Sequence, residues 1–549
     1  MRGLTKTVGE GHRVLDDVSF AVEPGELVAI VGGSGAGKTT LLEAMASIRP
    51  ADGGAVTFDG IDAASDLVEL RRSMGYVPQD DIIHVELPLV STLRYAAQLR
   101  LPTSTPAETV HHLVGEALEQ LDLQAQRDVR VSALSGGQRK RASIAVELLT
   151  GPRVFFLDEP TSGLDPATSA GLLANLRRLA DSGATIVLTT HAVQDLTACD
   201  RVLFLAGGGR LAFAGSVAGA LGYFGVATVE DIYVTLAQGD PTTWAARWRD
   251  TADASTLATE LPDRSSLASP DRPGSLRQFS VLTRRTADTL VRNRLTLAIL
   301  LGSPAMVVAM FAVLFRSGAF DFAHPNPSAV IMIVFWIAFG GFFFGLTYGL
   351  LQICTEMPIV RRERLVGLRL GPYLLSKVAV LLPFLLLVDL LMLGVLRVLD
   401  RLPALDGPTF ASLALTLLLD AVAALALGLL TSAAVTNPSQ ATLALPLLCF
   451  PAVLFSGAIL PLAAMAPVGR AISALMPDRW AFEAIGHDLG LRHLFAAGGS
   501  KLGPPLLDQY GSAGTHSTPF YWLVLTAFTL VFLSGAWFAL DRRSRPSAR

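Results

Sequence analysis

ELVAIVGGSGAGKTTLLEAMASI, residues 26–48, decides how the first half of this chain folds. ELVAIV is an unbroken apolar run, as expected of a buried strand. GGSGAGKT (32–39) fits G-x-x-x-x-G-K-[ST], and a helix is predicted from Lys38 onward. In such a turn the glycines let backbone N–H groups face phosphate oxygens. Lys38 adds a point charge at the β/γ oxygens, and the Thr39 hydroxyl can hold Mg2+. The candidate nucleotide-binding set here is Gly32, Gly33, Ser34, Gly35, Gly37, Lys38, Thr39 and Thr40. A plain glycine turn is the competing reading; the strand before it and the helix after it argue against that.

A second anion site stands a hundred residues on. In ALSGGQRKRASIAVELL (133–149), Ser135, Gly136 and Gly137 head a helix and leave its first N–H groups bare. VFFLDEP (154–160) places two carboxylates at the end of a buried strand. Asp158 suits Mg2+ bound through water, and Glu159 suits a general base that polarises an attacking water. A capped strand end is the alternative. Gln79, in YVPQDD, can touch both metal and water, and His191, in IVLTTH, can donate to a γ-phosphate. Strands are predicted over 14–20, 154–157 and 185–188 and a helix over 108–123, which gives an α/β P-loop nucleotide-binding core.

Composition says that this core is only half of the chain. Of 549 residues, 51% are hydrophobic and 17% charged, and the mean hydropathy is +0.47. Such a chain must lie partly in lipid. The net charge of −3 argues against a polyanionic partner, so nucleic acid is not expected. Cys199, Cys354 and Cys449 have neither metal-ligand nor disulfide spacing. No cleavable signal precedes the first half, which is therefore expected in the cytoplasm. Residues 238–275, rich in Pro, Ser, Asp and Thr, read as a linker. In 276–294, Leu276, Phe279, Leu282, Leu290 and Val291 recur near helical spacing among arginines, which suits an amphipathic helix at a membrane surface.

Six apolar spans follow, over 295–315, 329–351, 374–396, 410–432, 441–460 and 520–540, forming an all-α membrane domain. The basic stretch RRERLVGLR (361–369) and the basic tail place both termini inside. The segment 461–518 is the longest outside, and its Gly-rich end reads as a loop. Gly341, Gly345 and Gly349, four apart in span two, allow close helix approach. Asp389 and Asp420 lie within spans three and four, where a carboxylate must face protein or water. An interhelical hydrogen bond is the plainer reading, a substrate or proton site the sharper one. Pro446, Pro451 and Pro461 are expected to kink or end span five.

In this order, the phosphate loop, Gln79, LSGGQ, FLDEP, SGLD and His191 resemble the ATPase domain of ABC transporters, over 14–215. The ATPase-first layout, with YAAQLRLP, RRER, LFSG and MPDRWAFEAI, resembles the G subfamily of ABC-2 type half-transporters. The resemblance implies ATP and Mg2+ as ligands, with Thr39, Gln79 and Asp158 around the metal and Glu159, His191 and Gln79 as catalytic residues. It also implies a homodimer in which Ser135, Gly137 and Gln138 of one chain close over ATP held by the other, with Asp165 of SGLD across the interface. Spans two and five would line an apolar slot, with Phe335, Phe339, Leu454 and Phe455 as candidates for a lipid, lipid-linked or amphipathic substrate. The arginines and glutamates around 356–364 would form the elbow that meets the ATPase domain. Val8 stands where an adenine-stacking aromatic is expected, and Ser91 where an acidic residue often precedes TLRYAAQLRLP.

The expected layout is a nucleotide-binding domain over 1–237, a linker over 238–275 and a connecting helix over 276–294. A membrane domain over 295–541 and a cytoplasmic tail over 542–549 complete it. The expected place is the inner membrane of a bacterium, in contact with its lipids. The expected function is ATP-driven export. A membrane-bound regulatory ATPase is the alternative, favoured if an N-terminal regulatory module is missing from a chain that starts almost inside the fold.

Overall fold

The computed structural model describes residues 1–9, 11–63, 73–251, 273–510 and 515–545. These form two compact units. The first holds residues 1–277 together with 359–368, and the second holds 278–358 and 369–545.

The first unit has strands β1 (Arg2–Val8), β2 (His12–Val18), β3 (Leu27–Gly32), β4 (Gly53–Ala55), β5 (Thr57–Phe58), β6 (Ile61–Asp62), β7 (Met74–Val77), β8 (Val154–Leu157), β9 (Thr185–Thr189), β10 (Arg201–Ala206) and β11 (Arg210–Gly215). Its helices are α1 (Lys38–Met45), α2 (Leu89–Arg100), α3 (Ala107–Gln120), α4 (Gly136–Leu148), α5 (Pro166–Asp181), α6 (Val217–Phe224), α7 (Val229–Gln238) and α8 (Pro241–Thr251). The main sheet runs β11-β10-β3-β9-β8-β7, parallel except for β11. All six residues of β3 are buried, as expected of a parallel strand covered on both faces. A three-stranded antiparallel sheet, β2-β1-β4, stands beside it.

Part of the expected linker is structured. Helix α8 occupies 241–251, and Trp248 meets Phe213 at 5.1 Å while Trp244 meets Phe224 at 5.0 Å. Two large aromatics outweigh the polar composition that suggested a linker. The rest of that stretch, 252–272, lies outside the described residues.

In the second unit, α9 (Ser275–Arg292) matches the expected connecting helix, but its buried face is different. Leu276 and Val291 are exposed, whereas Gln278, Val281, Leu282, Arg285 and Leu290 are buried. The Gln278 side chain accepts from the Arg369 N–H at 2.9 Å, which gives a polar residue a reason to face inward. Then come α10 (Arg294–Leu314), α11 (Pro327–Leu350), α12 (Met357–Leu365), α13 (Leu370–Val398), α14 (Gly407–Ala434), α15 (Pro438–Phe455), α16 (Pro467–Ala474), α17 (Pro477–Asp488), α18 (Leu491–Ala497), α19 (Gly503–Tyr510) and α20 (Thr518–Ser544).

Five described helices, α11, α13, α14, α15 and α20, are long and apolar enough to cross a membrane. The sixth expected span coincides with the 21-residue α10, apolar from Pro304 on. Helix α15 continues through Pro446 and Pro451 and stops at Phe455, before Pro461. The stretch expected as a loop near 500 contains α19, and α20 runs past 541 to Ser544. The tail residues 546–549 lie outside the described residues.

The glycine stripe of α11 does what its spacing implies. A Cβ on Gly345 would lie 2.0 Å from the Ala421 carbonyl oxygen, and one on Gly349 would lie 2.6 Å from that of Leu425. Helices α11 and α14 therefore meet backbone to backbone. Phe335 corrects an expectation. It is wholly buried and stacks on Phe339 at 5.9 Å, so within this chain it is a packing residue and lines no open slot. Phe339 and Phe455 are half-buried and Leu454 is exposed. Asp389 and Asp420 are wholly buried, but the expected interhelical hydrogen bond is absent among the described residues.

The segment 359–368 corrects the domain boundary, because it packs with the first unit. Its anchor is a buried ionic cluster. Glu147, near the end of α4, receives Arg362 Nη2 at 2.6 Å, Arg362 Nε at 2.9 Å and Arg100 Nη1 at 2.8 Å. Arg362 also donates to the carbonyls of Ile82 at 2.6 Å and Ser143 at 3.1 Å. Burial alone would raise the Glu147 carboxyl, but Arg100 and Arg362 outweigh it and hold it at about 2. The stability it contributes is therefore present above the ordinary glutamate range and is lost only as pH falls toward that value.

Two outcomes test this packing. Glu147→Ala leaves two buried guanidinium groups unpaired, at a cost of ~3–5 kcal/mol. Amide hydrogen exchange across 359–368 is expected to accelerate, and unchanged exchange would show that the pair does not hold the segment. Gly345→Ala is expected to lower the thermal midpoint in detergent, as overpacking costs ~1–3 kcal/mol. Gly394→Ala, where a Cβ meets nothing within 4 Å, should leave it unchanged.

Candidate functional site

The candidate residues gather at the carboxyl ends of β3, β7, β8 and β9, where open α/β sheets place their ligands. Gly37 caps α1 with φ 91°, and a Cβ there would lie 2.7 Å from the Val14 carbonyl oxygen, so only glycine fits the turn. Gly33 and Gly35 face open space. Lys38 Nζ donates to the Gly32 and Gly33 carbonyls, both at 3.0 Å, and forms no ion pair among the described residues. A cation curled over a glycine loop without a carboxylate suits a polyphosphate.

Thr39 Oγ1 donates to Asp158 Oδ1 at 3.1 Å. Thr189 Oγ1 donates to the same oxygen at 2.6 Å and accepts the Glu159 N–H at 2.9 Å. Glu159 sits at φ 44°, a region that non-glycine residues rarely occupy and that is enriched at functional sites. Its Oε2 accepts from Gln79 Nε2 at 3.2 Å and lies 3.6 Å from His191 Nδ1. Gln79 and His191 thus converge on one Glu159 carboxylate oxygen. Thr39 and Asp158 fit Mg2+, which takes few protein ligands and fills the rest of its octahedron with water and phosphate.

Three contributors were not singled out in the sequence. Thr189 positions both carboxylates. Lys140 donates to the Gln79 carbonyl at 2.5 Å and lies 3.4 Å from Asp81, fixing the backbone of the glutamine loop. Asp195 accepts the hydroxyls of Thr161 and Thr190, each at 2.6 Å, behind the His191 turn. The doubled threonine ahead of His191 was the local sign of the first, Thr189, and of Thr190, a partner of Asp195.

The remaining candidates lie apart from this cluster. Ser135 caps α4 in a reciprocal box with Gln138, at 3.3 and 3.0 Å. Asp165 caps α5 and accepts the Thr168 hydroxyl at 2.6 Å. The two caps adjoin, since a Cβ on Gly137 would lie 2.2 Å from Thr168 Cγ2. Among the described residues, no hydrogen bond joins Ser135, Gly137, Gln138 or Asp165 to the phosphate loop. Val8 is 41% exposed at the end of β1, and Ser91 is buried in the first turn of α2.

The chain is similar in sequence to known proteins. The ABC transporter family matches residues 15–162, and the ABC-2 type transporter family matches 277–487. The chain joins an ABC transporter domain to an ABC-2 type transporter domain. Its ATPase domain precedes an ABC-2 type membrane domain, the order of the G subfamily half-transporters. It is 33% identical over 548 residues to the ABC transporter ATP-binding/permease protein Rv1747 of Mycobacterium tuberculosis, covering 97% of this chain and 62% of that protein. It is 34% identical to ABC transporter G family member 22 of Arabidopsis thaliana, over 41% of this chain and 30% of the plant protein. A solved ATP-binding subunit of an ABC transporter, 28% identical, aligns with 43% of this chain and 98% of its own at a TM-score of 0.39.

The cap geometry yields a rescue test. Gly137→Ala in the full chain should lower ATP turnover, because the new methyl meets Thr168 Cγ2. Adding Thr168→Ser removes that methyl, keeps the hydroxyl on Asp165, and should restore much of the rate. Failure of the second change to rescue would show that Gly137 is needed for another reason.

Proposed function

We propose that this chain is an ATP-driven exporter of a lipid, lipid-linked or amphipathic substrate, acting as a homodimer in a bacterial inner membrane with both termini inside. The observation that carries the reading is the divided site. Lys38, Thr39, Asp158, Gln79, Glu159 and His191 stand together, while Ser135, Gly137 and Asp165 stand at the capped ends of two adjoining helices and no hydrogen bond among the described residues joins them to the phosphate loop. Two chains facing head to tail supply each nucleotide with both halves.

Bound Mg2+ would neutralise charge on the phosphate oxygens, held by Thr39 and Asp158 with Gln79 nearby. Lys38 and the N–H groups of 33–39 orient the β- and γ-phosphates. Glu159 takes the proton of the attacking water, Gln79 positions that water, and His191 donates to the γ-phosphate oxygen. Ser135 and Gly137 of the opposite chain close the site with the N–H groups at the start of α4. Closure draws the ATPase domains together, and hydrolysis releases them. The membrane domains alternate in step, and Phe339, Leu454 and Phe455 offer apolar contacts to cargo.

ATP hydrolysis in lipid nanodiscs, with lipid extracts and amphipathic compounds titrated in, tests the reading. Glu159→Gln is expected to lower turnover by about 10²-fold or more. One compound class should stimulate the unsubstituted protein. Unchanged turnover in the variant would remove Glu159 from its role. A loss in the variant with no response to any compound would favour a regulatory ATPase.

A further inference from the structure

Three aspartates lie inside the second unit, and the transport reading uses none of them. Asp420 is midway along α14, Asp389 lies in α13, and Asp478 is at the start of α17. All three are 0% exposed. Their six carboxyl oxygens have no hydrogen-bond partner among the described residues. Their helices pack together, α14 against both α13 and α17.

Other charged and polar groups on the helices of this unit are engaged elsewhere. Lys377 on α13 is engaged by Glu356 at 2.7 Å, and Arg397 on the same helix by the Leu402 carbonyl at 3.4 Å. Arg479 on α17 is engaged by Glu483 at 2.9 Å, and Tyr521 on α20 meets Glu483 at 3.3 Å. His487 and Asp488 on α17 pair with each other at 3.3 Å. Tyr348 on α11 donates to the Leu300 carbonyl at 2.8 Å, and Arg543 on α20 to that of Ala433 at 2.7 Å.

A buried carboxylate with neither counter-ion nor hydrogen bond is among the most costly arrangements in a protein. Something positive must therefore occupy the site. No group of three or more acidic, histidine or cysteine side chains among the described residues is arranged to hold a metal ion. The proton needs no coordination shell. Glu483 and His487, on the same helix as Asp478, line a cavity of about 370 Å3.

We propose that Asp389, Asp420 and Asp478 form a proton-binding site in the membrane unit, loaded and unloaded as that unit alternates. This rests on the alternating cycle proposed above, and the test separates the two claims. The full chain in nanodiscs is treated near neutral pH with dicyclohexylcarbodiimide, a lipid-soluble reagent that adds to protonated carboxyls, and its peptides are sequenced by mass spectrometry. The reaction is run without nucleotide and after trapping with ATP and vanadate. Modification is expected on the three aspartates without nucleotide. Asp420→Asn, Asp389→Asn and Asp478→Asn should each lose it at their own position. Trapping should change its extent. No modification at any of the three in the nucleotide-free protein would overturn the site, whatever the ATPase does. Equal modification in both states, in a preparation that hydrolyses ATP, would overturn loading and unloading. A preparation that hydrolyses no ATP counts against the transporter reading, while the nucleotide-free modification still decides the site.

Discussion

Glu147 is held between two guanidinium groups in a place without water, and much of the first unit's organisation follows from that. Removing three charges from solvent is repaid only while they stay in contact. The segment 359–368 is thereby fixed to the ATPase fold, although the chain on both sides of it belongs to the other unit. Glu147 lies on the same 13-residue helix that Ser135 caps, a rod of about 20 Å. Lys140, between them, grips the glutamine loop at Gln79, and Arg362 grips it again at Ile82. The capped end, the glutamine loop and the 359–368 segment are thus all attached to this one helix.

What could be read in the sequence was what is local. The phosphate loop, the paired carboxylates and the two helix caps are each specified within a few residues, and the structure puts them at strand and helix ends. The glycine stripe was also legible, because a spacing of four is itself the geometry of a helix face. Contacts between distant residues were not. Nothing near Arg362 names Glu147 as its partner, 215 residues away. A run of phenylalanines at helical spacing does not say which neighbour it meets, so Phe335 was expected in a slot and lies in the packed interior. The linker failed for a similar reason. Pro, Ser and Asp outnumber Trp244 and Trp248, but two indoles against Phe213 and Phe224 decide whether the backbone is ordered.

The two units solve burial differently. The sheet of the first is covered on both faces by side chains, and its functional groups emerge at strand ends where backbone N–H and hydroxyl donors are plentiful. Asp158 has two hydroxyl donors and Glu159 an amide and a histidine within reach. The second unit packs by removing side chains, with Gly345 and Gly349 against the carbonyls of Ala421 and Leu425. Helices that meet this way have already spent their backbone donors internally. An aspartate placed there has only other side chains to turn to.

The contrast between Glu147 and Asp420 then has a functional meaning. Both are carboxyls removed from water in one chain. The first is locked by two arginines, and a locked carboxylate is suited to holding parts together because exchanging its partner is costly. The second has no such partner among the described residues, and neither have Asp389 and Asp478. A guanidinium at that position would have stabilised the cluster and, in the same act, excluded any smaller cation. Leaving three acids unpaired in a tightly packed interior is destabilising unless the site has an occupant, and an occupant that must come and go cannot be covalently part of the chain.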